Sequence, residues 1–217
     1  MTPPSSRFRP TRSSPSDDRR GQTLVEFSLL LPIFLTLVMG IIEFGFVFNA
    51  LLSINYATRN ASLIAAEAGN TAATDGAGNP IEIGPDCLIL QTIEEDVTAP
   101  ADPNQITAVR IYRADLLGKE MSGVVNVYVR GGPTTCRFPG GVTITVPYQL
   151  SGPVGYPSSN RCNFVAGCGV GQPGLDTIGV QITYQHAWRT PMPNLIGGSG
   201  SGLTLMRSNA MRMEPIL

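Results

Sequence analysis

The sequence predicts an α+β protein, in which a long N-terminal transmembrane helix packs its distal part on an antiparallel β-sheet domain. Three observations lead to this fold class. Leu24 to Ile54 is a 31-residue apolar run whose only charged residues are Glu26 and Glu43. Five later segments alternate in polarity or are rich in β-branched residues, with Gly and Pro between them: 105–113, 123–130, 142–150, 178–188 and 203–211. No long helical pattern separates those segments, which favours antiparallel pairing.

Three regions follow from this pattern. Residues 1–21 are rich in Pro, Ser and Arg, lack an apolar pattern and are predicted to be a disordered leader. Residues 22–69 are predicted to form one helix with a membrane-spanning segment at about 24–48, because about 20 apolar residues cross a bilayer as a helix. Residues 70–217 are predicted to form the sheet domain, with one short helix at about 86–97 that Asp86 caps.

The long helix carries three features that predict local structure. Pro32 lies inside the apolar run and is expected to kink or loosen the helix, because it lacks a backbone donor. The distal third is amphipathic. Its domain-facing side is expected to consist of the alanines with Leu52, Tyr56, Ser62 and Ile64, and its water-facing side of Arg59, Asn60 and Glu67. Gly69 is predicted to end the helix as a left-handed cap.

The distribution of charge predicts the orientation in the membrane. The 217-residue chain has a net charge of −1, but the first 21 residues carry +3 and the remaining 196 carry −4. By the positive-inside rule, the N-terminus is expected in the cytoplasm and residues 70–217 outside it. The overall charge gives no reason to expect a nucleic-acid partner.

The four cysteines all fall in the region predicted to be extracytoplasmic. They are Cys87, Cys136, Cys162 and Cys168. An even number in an oxidising compartment predicts two disulfides, and the favoured pairing is Cys162–Cys168 with Cys87–Cys136. Free buried thiols are the alternative. The spacing of Cys162 and Cys168 is too wide for the usual zinc pair, so no metal site is predicted.

The residues that catalysis requires are sparse. His186 is the only histidine and is interpreted as a surface residue of a strand without a catalytic partner. The acidic run 94–96 is interpreted as a solvated helix face. The glycine pattern at 169–174 does not follow a clear strand or open a helix, as nucleotide binding would require. We therefore predict no catalytic residue, no cofactor and no small-molecule substrate, and the chain is expected not to be an enzyme.

The start of the apolar helix carries the most specific motif. Two arginines precede Gly21, and Glu26 follows that glycine by five residues, a spacing that resembles a prepilin processing site. The longer pattern resembles the TadE/TadG-like minor pilins of tight-adherence (Flp) pilus systems. The residues that carry this resemblance are Gly21, Val25-Glu26-Phe27, Leu29, Pro32 and Gly40-Ile41-Ile42-Glu43-Phe44-Gly45.

The resemblance implies a pilin-like fold and a role as a minor pilin or pseudopilin. It implies that a prepilin peptidase cuts between Gly21 and Gln22, and that Glu26 then meets the new α-amino group of a neighbouring subunit. Helix packing during assembly would involve Glu26 together with Phe27, Pro32 and Glu43. The implied partners are the membrane, the peptidase, other pilins and pilus-assembly proteins.

Other functions remain open at this point. The chain could be an uncleaved single-pass surface protein that acts as an adhesin or scaffold, or an anchored extracytoplasmic enzyme. A secretory signal peptide fits less well, because its apolar core is about 7–15 residues long. The run from Leu24 to Ile54 exceeds that length.

Overall fold

The computed structural model describes residues 16–169, 172–191 and 202–215. The chain divides into two units at the bond between Ile42 and Glu43, and helix α1 (Ser16–Ala68) contributes to both. The helix begins six residues before Gln22, so residues 16–21 are helical and the prediction of a disordered leader up to Gly21 is wrong for them. Serine and aspartate, which occupy positions 16–18, are residue types favoured at helix starts.

The first unit, Met1–Ile42, contains the first part of α1 and much of its apolar run. From Gly21 to Ile42 no side chain is buried, and the most apolar stretch of the helix is long enough to cross a membrane. The helix continues through Pro32. The Thr36 hydroxyl donates a 2.8 Å hydrogen bond to the Pro32 carbonyl, as polar side chains commonly do within apolar helices.

The second unit contains the end of α1, helix α2 and an antiparallel sheet of seven strands in the described residues. The sheet order is β2-β1-β4-β3-β6-β7, and β5 pairs with the far half of β4. The elements after α1 are β1 (Ala73–Thr74), β2 (Pro80–Ile81), α2 (Gly84–Asp96), β3 (Ile106–Ala114), β4 (Glu120–Arg137), β5 (Thr143–Leu150), β6 (Thr177–His186) and β7 (Leu203–Arg212). The predicted α+β class and the five predicted strand segments are confirmed.

The core lies between the sheet and the two helices. α1 contributes mainly small side chains at helical spacing, which allow close approach to the sheet: Ala50, Ile54, Ala57, Ala61 and Ala65. The sheet contributes Val109 and Ile111 of β3, which lie opposite Ile182 and Val180 of β6. Burial of this apolar surface is the main favourable term in folding.

Three local predictions about this unit are wrong. Leu52 and Tyr56 are exposed, whereas Ser62 and the alanines Ala57, Ala61 and Ala65, predicted on the same face, are buried as expected. Gly69 has no positive φ; a side chain there would collide with the Ala65 carbonyl oxygen and would come within 2.8 Å of Ile178 and Met213. Asp86 lies in the first turn of α2, but the N-cap is Ile83 and the Asp86 carboxylate binds elsewhere.

Candidate functional site

The residues of the predicted processing site lie on one exposed stretch of α1. Gly21 has open space around the position of a Cβ atom. Gln22 and Glu26 are one helical turn apart, and the Gln22 amide donates a 3.1 Å hydrogen bond to Glu26 Oε1. Phe27 and Pro32 are also exposed. The backbone at Gly21 is helical, so a protease would have to unwind this turn to reach the Gly21–Gln22 bond.

Glu43 has a different environment, because it is buried in the second unit. Only 3% of its surface is exposed. Its Oε1 atom lies 3.0 Å from Nε2 of His186, at the end of β6, and its Oε2 atom accepts a 2.8 Å hydrogen bond from the backbone N–H of Thr190. The backbone N–H of Arg189 is 3.2 Å from both carboxylate oxygens. We call these four residues the Glu43 clasp.

The clasp corrects the interpretation of His186. The sequence suggested a surface residue, but His186 is 2% exposed and donates its hydrogen bond into the clasp. Its ring lies edge-on to Trp188, with 6.1 Å between the ring centroids. The Arg189 side chain makes two further contacts. Its guanidinium donates a 2.6 Å hydrogen bond to the Pro100 carbonyl, and its Cζ atom lies 5.2 Å from the centroid of the Phe46 ring.

A buried polar cluster joins α1, α2 and the sheet. Arg161 pairs with Asp86 at 2.6 Å and donates a 3.0 Å hydrogen bond to the Gly69 carbonyl, just after α1 ends. Asp86 also accepts hydrogen bonds of 2.8 Å from Asn126 and 2.6 Å from Tyr128. Burial raises the pKa of Tyr128 well above its usual value, so this hydroxyl stays protonated and donates to the carboxylate.

A second buried carboxylate extends this cluster. Asp176 accepts a 3.0 Å hydrogen bond from Tyr156 and pairs with Arg113 at 2.9 Å. Burial likewise raises the pKa of Tyr156, which therefore remains a donor. Both buried carboxylates are held by cations and donors, so neither is poised to act as a base. The chemistry of this cluster is structural, and nothing in the sequence indicated which residues would meet there.

Both disulfides are present in the structure. Cys87 of α2 is joined to Cys136 of β4, and Cys162 is joined to Cys168 across a short loop. This is the pairing that the sequence analysis favoured. The first bond ties a helix to the sheet, and the second closes a loop at one end of the domain.

No group of three His, Cys, Asp or Glu side chains in the described residues has the arrangement of a metal site. His186, the only histidine of the chain, is engaged by Glu43. Its proximity to a carboxylate resembles part of a catalytic relay, but both groups are buried. No arrangement in the described part of the chain gives positive evidence for catalysis.

Comparison with known proteins identifies the class of the N-terminal segment. Residues 21–62 match the family model described as TadE-like protein. This match confirms the resemblance to the TadE/TadG-like family of Tad pilus systems over that segment, and it indicates a Tad pilus-associated protein. No curated protein and no solved structure matches the chain.

Proposed function

We propose that the chain is a minor pilin or pseudopilin-like component of a tight-adherence pilus assembly or secretion apparatus. The observation that carries this proposal is the position of Gly21, Gln22 and Glu26 at the start of an exposed apolar helix, inside the TadE-like segment. A prepilin peptidase would cut between Gly21 and Gln22. Glycine suits such a site because it lacks a Cβ atom, so its backbone can extend closely into a protease cleft.

The proposed arrangement is a cytoplasmic leader at 1–21, a membrane-spanning helix and an extracytoplasmic domain. Residues 21–42 alone give about 33 Å of helix at 1.5 Å per residue, which matches a hydrocarbon core of about 30 Å. Glu43 is buried within the folded unit, so the span needs no residue beyond Ile42. The net charge of +3 on residues 1–21 supports a cytoplasmic N-terminus.

Glu26 is the residue proposed to act between subunits. It is exposed, and its described partner is the Gln22 amide, one turn away on the same helix. Cutting would create an α-amino group at Gln22, and a neighbouring subunit could present that cation to Glu26. Such a pair offsets the cost of a carboxylate in lipid and favours a defined stagger between helices.

An exposed apolar stripe on α1 supports contact with other subunits. Phe44, Phe48, Leu52 and Tyr56 recur every four residues and are all exposed. On a helix this spacing places them on one face, and exposed apolar patches commonly mark interaction surfaces. Other pilins or pilus-assembly proteins are the proposed partners.

The N-terminus of the membrane-extracted protein tests this proposal. We expect intact mass and N-terminal sequencing to show a start at Gln22 in cells with an active prepilin peptidase. Gly21→Leu should retain the leader, whereas Gly45→Leu, a change at an equally open glycine of the same helix, should be cut normally. A wild-type chain that starts at Met1 would contradict the proposal and leave an uncleaved anchored surface protein.

A further inference from the structure

A cavity in the second unit lies where the chain leaves α1. Its volume is about 670 Å³, within the range of about 300–1,000 Å³ that ligand pockets occupy. Three segments form it: residues 70–73 after α1, residues 80–82 around β2, and the stretch from Ser158 to Cys168. We call it the Asn163 cavity. The proposed pilus role does not involve this cavity.

Five polar side chains that line the cavity have no protein partner. Among the described residues, none of their side chains makes a hydrogen bond: Asn70, Glu82, Ser158, Ser159 and Asn163. Asn163 is the most informative, because only 4% of its surface is exposed. Its carboxamide has no partner in the described part of the chain and is not fully enclosed, so its donor and acceptor can bond to a molecule that enters the cavity.

The charges at the cavity wall favour a neutral ligand over an anionic one. Arg161 lines the wall, but its guanidinium pairs with Asp86 at 2.6 Å and donates to the carbonyls of Gly69 and Tyr156 at 3.0 Å each. Its charge is therefore neutralised inside the protein. Glu82, the other charged residue of the wall, is exposed and negative, so it repels anions.

One aromatic ring stands at the cavity wall. Phe164 is 51% exposed and lies within the loop that the Cys162–Cys168 disulfide closes. The loop is also fixed at its base, because Cys162 is fully buried and its backbone N–H donates a 3.2 Å hydrogen bond to Asp176. An exposed ring on a constrained loop is pre-organised, which lowers the entropy cost of binding.

We infer that the Asn163 cavity binds a neutral carbohydrate. Amide, hydroxyl and carboxylate groups can pair with the vicinal hydroxyls of a sugar, since together they provide both donors and acceptors. The apolar C–H face of a sugar ring can pack on Phe164 and on the small apolar residues of the wall, which are Ala72, Ala73, Pro80 and Ile81. This inference goes beyond the proposed pilus role and does not depend on cutting at Gly21.

The test uses the full chain in lipid nanodiscs. We would screen it on an array of neutral oligosaccharides of glucose, galactose, mannose and N-acetylglucosamine, and then measure the affinity of the best binder by calorimetry. Phe164→Ala is expected to weaken that affinity at least about tenfold, as loss of an aromatic anchor does. Val165→Ala is the matched control, because Val165 is the adjacent residue, is 65% exposed and does not line the cavity.

A second variant covers the case in which Phe164→Ala disturbs the loop. Ser159→Ala removes one exposed hydroxyl from the wall and should also weaken binding, with an unchanged melting temperature. The inference is overturned if no neutral oligosaccharide binds above empty nanodiscs at millimolar concentration. It is equally overturned if Phe164→Ala and Ser159→Ala bind as well as Val165→Ala does, or if only anionic saccharides or peptides bind.

Discussion

Removing the carboxylate of the Glu43 clasp should release the chain segment that follows β6. In Glu43→Ala, three donors lose their acceptor: the His186 ring and the backbone N–H groups of Arg189 and Thr190. Each lost hydrogen bond costs about 1 kcal/mol, so we expect local opening to become easier by about 3 kcal/mol. At 1.4 kcal/mol per factor of ten, this corresponds to about a 100-fold higher open population.

Limited trypsin digestion measures this opening directly. The Arg189–Thr190 bond is a tryptic site whose flanking N–H groups are held by Glu43 in the closed state. When reclosing is fast, the cleavage rate follows the population of the open form, so cleavage after Arg189 should accelerate by about 100-fold in Glu43→Ala. Trp188 is the only tryptophan of the chain and lies beside His186, so its emission reports the same change.

Glu67→Ala is the matched control, since Glu67 is an exposed glutamate of the same helix. It should leave both the cleavage rate and the Trp188 emission unchanged. Equal cleavage after Arg189 in Glu43→Ala and Glu67→Ala would refute the reasoning, because the clasp would then contribute nothing to the closed state.

Three further predictions concern the stability of the second unit. Gly69→Ala should lower stability by about 1–3 kcal/mol in denaturant unfolding, since its Cβ atom would overpack the core, whereas Gly45→Ala in open space should not lower it. Arg161→Ala should cost about 3–5 kcal/mol in the same assay, because it leaves a buried carboxylate unpaired; a loss below 1 kcal/mol would contradict the pairing in the buried cluster. Thiol titration of unfolded, unreduced protein should find no free thiol, and reduction of the Cys87–Cys136 bond should lower stability by about 2–4 kcal/mol; four free thiols would contradict the oxidised state.

The sequence predicted the elements of this protein better than their contacts. Runs with a period of two, such as 142–150, predicted strands because alternating polar and apolar side chains fit a sheet with one buried face. In the structure, β5 does alternate between buried and exposed residues. The buried face of α1 was predicted in part: the alanines and Ser62 are buried as expected, whereas Leu52 and Tyr56 are exposed. Hydrophobicity alone therefore does not identify which side chains of a helix fit the packed interface.

In the candidate site, too, the sequence did not predict contacts between residues that are distant along the chain. Gly21, Gln22 and Glu26 are close in sequence, so their spacing alone predicts that they lie together. Glu43 and His186 are 143 residues apart, and their contact depends on the register that places the end of β6 beside α1. One signal was available: the single histidine of the chain and a carboxylate deep in an apolar run both need a partner when they are buried.

The two glutamates of the apolar run therefore differ in whether their carboxylates are available to bind another subunit. Glu43 is buried, and the four hydrogen-bond contacts of its carboxylate lie within its own domain. Glu26 is exposed, and its described partner is the side-chain amide of Gln22 on its own helix. A cation can replace this amide without unfolding of the domain. Glu43→Gln should therefore lower the stability of the domain, whereas Glu26→Gln should leave stability and cutting at Gly21 intact and reduce co-purification with other pilins. If Glu26→Gln unfolded the domain while Glu43→Gln affected only assembly, this division of roles would be wrong.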